Sequence, residues 1–132
     1  MILIDTSVWI DFFRGADTLH RVAMHKLIKE DDVCLADIIV AEILQGIKSD
    51  KDFKVVKSRL LEFPIYSLKD VHSYIQSAQI YRACRRRGLT IRKLVDCFIA
   101  QIAIENGLVL FHNDKDFDSI AKTIKELQIY RL

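Results

Sequence analysis

The 132-residue chain is short of the residues that interrupt regular structure, with one proline and four glycines. No Pro/Gly/Ser-rich linker, low-complexity tract or internal repeat breaks it up, so no domain boundary is placed and residues 1–132 are expected to form a single domain. Cysteine is scarce as well. Cys34, Cys84 and Cys97 are odd in number, lack C-x-x-C spacing and lie in apolar or amphipathic segments. A disulfide framework and a zinc cluster are both disfavoured, and buried free thiols are expected instead. No stretch approaches the ~18 continuous apolar residues of a membrane span, and no basic region precedes an apolar leader core. The expected location is the cytoplasm, with no membrane partner. Charge of one sign is not in excess either: 20 basic and 18 acidic residues leave a net +2, which neither demands nor excludes a nucleic acid.

Apolar residues are plentiful, at 51% of the chain, enough for one globular core. They fall into short continuous runs alternating with helical patterns. Ile2-Leu3-Ile4, Val33 to Ala36, Pro64 to Tyr66, Leu108 to His112 and Gln128 to Leu132 read as strands, the β-branched ones buried on both faces. Between them, Thr18 to Lys29 and Phe53 to Phe63 carry apolar residues near a 3.6 period. A further helix is expected from Ser67/Asp70 to Arg87, stopped by Gly88, and another from Leu94 to Glu105, ended by Asn106-Gly107. Strands alternating with helices predict an α/β domain, a mainly parallel sheet of about five strands flanked by helices in α/β/α layers.

Acidic residues fall at telling places. Asp5 directly follows the first strand, and Asp114 and Asp116 follow the strand ending at His112. In a parallel sheet these residues reach the same edge, where ligands bind. Two more interrupt apolar helices: Glu42 in "ADIIVAEILQG" and Asp96 in "LVDCFIAQIAI". A carboxylate against apolar surface needs a cation, a metal or a raised pKa. Each acid alone has a plainer use, Asp5 as a turn residue, Asp37 or Asp114 as a helix cap. Taken together, four carboxylates within about 4–6 Å would repel by ~4 kcal/mol per close pair at an effective dielectric near 20, and a shared cation resolves this. All-oxygen ligands favour Mg²⁺ or Mn²⁺ over zinc.

"LIDTSVWIDFF" with Asp5, "IIVAEILQG" with Glu42, and "LVDCFIAQIAIENGLVLFHNDKDFD" with Asp96, Asp114 and Asp116 closely resemble, in order and spacing, the PIN-domain ribonucleases. The best match within that family is the small VapC-type toxin of toxin–antitoxin pairs. The resemblance implies a PIN-like α/β fold and an Mg²⁺- or Mn²⁺-dependent endoribonuclease. Asp5, Glu42, Asp96 and Asp114 correspond to the catalytic quartet, and Asp5, Asp96, Asp114 and Asp116 to the metal ligands. Glu42 would help activate water, and Thr6, Ser7 and Asn113 would support the carboxylates. The implied reaction is in-line hydrolysis of an RNA phosphodiester, leaving a 5′-phosphate and a 3′-hydroxyl. Implied partners are an RNA substrate, a VapB-type antitoxin whose C-terminal segment enters a groove near the site, and a second copy in a homodimer.

Basic residues concentrate in "YRACRRRGLTIRK", where Arg82, Arg85, Arg86, Arg87, Arg92 and Lys93 lead into the helix carrying Asp96. They can neutralise RNA phosphates, or simply offset a helix C-terminal dipole. Trp9, Phe12 and Phe13 read as packing residues by default, with the groove that receives the antitoxin segment in the resembled family as the alternative. His20, His25 and His72 show no metal-site spacing, and His112 is expected to orient the acidic loop. A response-regulator receiver would also gather acids around Mg²⁺, but it needs an acid pair after the first strand and a phospho-acceptor after a central one. A haloacid-dehalogenase-like phosphatase needs D-x-D where Asp5-Thr6-Ser7 stands. A catalytically silent PIN module that binds RNA or protein keeps the fold and loses the chemistry.

Overall fold

The computed structural model describes residues 1–132. Five strands alternate with seven helices: β1 (Ile2–Ile4), α1 (Thr6–Arg14), α2 (Leu19–Lys29), β2 (Val33–Ala36), α3 (Asp37–Gln45), α4 (Asp50–Leu60), β3 (Ile65–Tyr66), α5 (Val71–Arg86), α6 (Leu94–Glu105), β4 (Val109–Phe111), α7 (Lys115–Thr123) and β5 (Gln128–Ile129). All strand pairs are parallel and the order is β3-β2-β1-β4-β5.

The three apolar residues of β1 are buried, Leu3 and Ile4 completely. A strand with no polar face needs cover on both sides, which is why the flanking helices are obligatory. The most buried helix is α6, where Cys97, Ile99, Ala100, Ile102 and Ala103 join the core and only scattered positions meet solvent. It packs along α5 and also touches α3 and α7. All three cysteines are free and buried. Burial pushes the Cys34 thiol up to about 11 and the Cys97 thiol to about 12, so neither is a ready nucleophile.

Boundaries differ from the sequence reading where side-chain caps or tertiary pairing decide. Helix α1 follows β1 at once because Asp5 is its N-cap, accepting from the Ser7 N–H. Helix α4 begins at Asp50, three residues before the apolar pattern, because the Ser49 hydroxyl caps the Asp52 N–H. It ends before Pro64, whose ring disfavours helix in the residue ahead of it. Strand β5 is only two residues long, since pairing with β4 stops at Ile129. Helix α5 starts at its Asp70 cap, and after α6 and its C-cap Asn106 comes Gly107, whose φ of +64° suits the left-handed turn into β4.

The order of strands positions the site. From β1 the chain moves outward to β2 and β3, then returns to β4 on the opposite side of β1. The crevice beyond the C-terminal ends of β1 and β4 is therefore the topological switch point, where open α/β sheets bind ligands. The two strands run in register there, Ile4 opposite Phe111, and the Asp5 N–H donates to the Phe111 carbonyl at 2.9 Å.

Candidate active site

Each acid at the switch point is fixed by the local structure that delivers it. Asp5, 5% exposed, stands at the end of β1 and uses Oδ2 to accept from the Ser7 N–H at 3.0 Å and the Ser7 hydroxyl at 2.6 Å. The Ser7 oxygen also accepts from the Asn113 N–H at 2.9 Å, stitching the β1–α1 turn to the β4–α7 turn. Asn113 reaches further with its amide, 3.4 Å from Asp11 Oδ2. Asp114 is the N-cap of α7, its Oδ1 accepting from the Asp116 N–H at 3.0 Å. Its own N–H donates to Nδ1 of His112 at 3.0 Å. That acceptor role requires an unprotonated Nδ1, and burial lowers the His112 pKa accordingly. The plain capping uses of Asp5 and Asp114 thus coexist with their place in the cluster. Asp37 does not cap α3; Ala36 holds that position and Asp37 bonds the N–H of Ile38.

Two helices bring the other acids. Glu42, half-buried on α3, accepts from the Thr6 hydroxyl at 2.9 Å through Oε1. Burial raises its pKa, opposed by the Thr6 hydrogen bond, with Asp5 adding to the rise and Lys93 opposing it. Asp96 lies in the first turn of α6, 2% exposed. Burial pushes its carboxyl up to about 7; Lys93 pulls the other way, and Asp5, Asp114 and Asp116 add to the rise.

The tightest group joins Asp96, Asp114 and Asp116, each offering a carboxylate oxygen within 4.8 Å of the others. Asp5 lies outside that group, and its charge is felt at both Asp96 and Glu42. Asp96 Oδ2 is buried without any hydrogen-bond partner, a costly state for a carboxylate. A buried carboxylate with an unpartnered oxygen, grouped with two further carboxylates, is what a hard divalent cation would satisfy, and the donor set is all oxygen. The residues fit such an ion.

The cationic residues divide. Arg92 bridges two acids, Nη2 at 3.0 Å from Asp114 Oδ1 and Nε at 3.0 Å from Asp116 Oδ2, while its backbone N–H reaches Asp116 Oδ2 at 3.2 Å. Lys93 Nζ is 3.9 Å from Asp96 Oδ1. The other four are exposed on the far end of α5 or just past it: Arg82 on Gln79, Arg85 over the Tyr81 ring, Arg87 on the Lys122 carbonyl, and Arg86 beside them. The sequence reading did not separate these two groups. A signal was present, because cations at a helix N-terminus oppose its dipole, and Arg92-Lys93 directly precede α6.

Trp9 is 2% exposed and donates its indole N–H to the Ile4 carbonyl at 3.1 Å, so it is a core residue. Phe13 stacks on it yet remains 42% exposed. With Ile10, Ile43, Ile47, Val55 and Val56 it lines an open groove of about 540 Å³ that has Glu42 in its wall.

Fold and pocket together define a class: a small α/β domain holding buried carboxylates at the sheet's switch point, suited to a divalent cation. The PIN domain family model matches residues 2–123. Ribonuclease VapC11 of Mycobacterium tuberculosis is 36% identical over 124 residues, 92% of each chain. Among solved structures, VapBC2 from Rickettsia felis, bound to a DNA fragment from its promoter, superposes with a TM-score of 0.77 at 18% identity, covering 100% of this chain and 99% of that one. FitAcB from Neisseria gonorrhoeae superposes with a TM-score of 0.72 at 25% identity, over 99% and 97%. The chain belongs to the PIN-domain family, with VapC ribonucleases as relatives.

Proposed function

We propose that the protein is an Mg²⁺- or Mn²⁺-dependent endoribonuclease acting as the toxin of a VapBC-type pair. The observation that carries this reading is the group of Asp96, Asp114 and Asp116, whose carboxylate oxygens come within 4.8 Å of one another and whose most buried member, Asp96, leaves Oδ2 unpartnered. Asp96, Asp114 and Asp116, with Asp5 beside them, would hold the ion, and Glu42 completes the catalytic set. A divalent ion there supplies Lewis-acid neutralisation of phosphate charge and acidifies water. The chain's own residues do the rest. Ser7 and Asn113 keep Asp5 and the Asp114 loop in fixed relation. Thr6 occupies Glu42 Oε1, which leaves Oε2 to take a proton from the attacking water, and the raised pKa makes Glu42 a better base than a solvated carboxylate. Water as nucleophile makes the RNA 2′-hydroxyl unnecessary, and with O3′ as the leaving group, as the family resemblance implies, the products are a 5′-phosphate and a 3′-hydroxyl.

The exposed arginines Arg82, Arg85, Arg86 and Arg87, with Arg92 and Lys93 nearer the acids, are the phosphate contacts of this reading. The apolar groove beside Glu42 suits a VapB-type antitoxin segment, as relatives crystallised as VapBC complexes support. A homodimer belongs to the same proposal. No helix is long and apolar enough to cross a membrane.

The test is induced expression of wild type, Asp5→Ala and Asp96→Asn, following growth and RNA integrity, with purified proteins assayed on RNA in Mg²⁺ or Mn²⁺ and in chelator. Growth arrest and metal-dependent cleavage are expected of the wild type alone. Folded wild type that cuts no RNA in either metal would leave the silent-module reading in its place.

A further inference from the structure

The acids at the switch point already have a cation of the chain's own. Arg92 spans Asp114 Oδ1 and Asp116 Oδ2, two members of the three-carboxylate group, at 3.0 Å each. Asp96, the third member, has no such partner on Oδ2. The side chain of Arg92 is 58% exposed, so it can swing into solvent without disturbing the core. Its backbone is a separate anchor, because the Arg92 N–H also donates to Asp116 Oδ2. The guanidinium can leave while the segment stays in place.

Resting on the assignment of these acids as a metal site, we propose that Arg92 is a displaceable placeholder for the divalent ion, occupying carboxylate oxygens in the metal-free protein and giving them up when the ion binds. Two facts favour competition over coexistence. The guanidinium uses oxygens of the two acids that an ion would draw on. A dication within that group would also stand a few ångströms from a permanently charged guanidinium and repel it. The arrangement keeps the pocket partly neutral while it waits for metal, and each loading event frees one positive side chain at the rim of the site.

The test measures metal binding directly, without RNA. Mn²⁺ titrations followed by electron paramagnetic resonance of the free ion are run on wild type, Arg92→Gln, Arg92→Lys and Asp96→Asn. Removing an exposed pair of ionic hydrogen bonds that the ion must break should tighten Mn²⁺ binding about three- to tenfold in Arg92→Gln. Arg92→Lys, which keeps the charge and loses the fork, should fall between. Unchanged or weaker binding in Arg92→Gln overturns the proposal, the weaker case meaning that Arg92 holds the carboxylates for the ion. If Asp96→Asn abolishes binding while Arg92→Gln leaves it unchanged, the metal site stands and the placeholder falls. If the wild type binds no Mn²⁺, both fall.

Discussion

Asp96→Asn should make the metal-free protein more stable, and the gain should depend on pH. In the folded state the Asp96 carboxyl is raised from 3.8 to about 7, chiefly by burial, and Oδ2 has no partner. A folded pKa above the unfolded one favours the protonated form. Stability from this group is therefore fully present below pH 3.8 and lost as pH rises through about 7. At ~1.4 kcal/mol per unit the full penalty is ~4 kcal/mol above neutrality, an upper limit because asparagine brings its own amide to the same poorly partnered place. A net gain of about 2 kcal/mol is expected, or ~8 °C in Tm for a domain of this size. The assay is thermal unfolding of both proteins in EDTA at about pH 5 and pH 8. The gain should grow between the two conditions and level off above neutrality. Saturating Mn²⁺ should reverse the ranking, because only the wild type gains binding energy, ~2.7 kcal/mol at a hundredfold excess over Kd. A variant less stable than wild type at both pH values, or a difference that ignores pH, would refute the picture of a strained carboxylate held for a cation.

Two further outcomes follow from the same geometry. Thr6→Val removes the hydrogen bond that opposes the rise in the Glu42 pKa, so Glu42 titrates higher; RNA cleavage should lose more at about pH 6 than at pH 8, seen as an alkaline shift of the acidic limb of the rate profile. Trp9→Ala empties a fully packed site among Phe12, Phe13 and Phe63 and removes the indole N–H that donates to the Ile4 carbonyl, and urea unfolding should show a loss of about 3–5 kcal/mol.

Much of this molecule is written locally. Helix α6 matched its expected span from Leu94 to Glu105, because a dense apolar pattern between a charged segment and Asn106-Gly107 leaves little choice of boundaries. Central strands β1 and β2 were legible as short apolar runs for a similar reason, since burial on both faces forbids polar positions, whereas the edge strands β3 and β5 leave Ile65 and Gln128 exposed. Helix α1 was less so, since its start depends on the Asp5 cap. Phe13 illustrates the limit on the other side, since packing and groove were both open for it in the sequence, and the structure has it stacked on Trp9 yet 42% exposed on a groove.

By itself the sequence determined the alternation of strands and helices, the burial of three free cysteines, and which acids stand at strand ends or within apolar helices. These follow from periodicity and from the cost of placing charge near apolar surface, both readable along the chain. Tertiary structure alone decided the groupings. Crossing from β3 back to β4 beside β1 puts Asp114 and Asp116, more than a hundred residues from Asp5, at the same crevice. It also sets Asp116 with Asp96 and Asp114 in the tightest group, ties Ser7 to Asn113, and lays Arg92 across Asp114 and Asp116. Such contacts depend on strand order and on side-chain reach across separate elements, which no local pattern encodes.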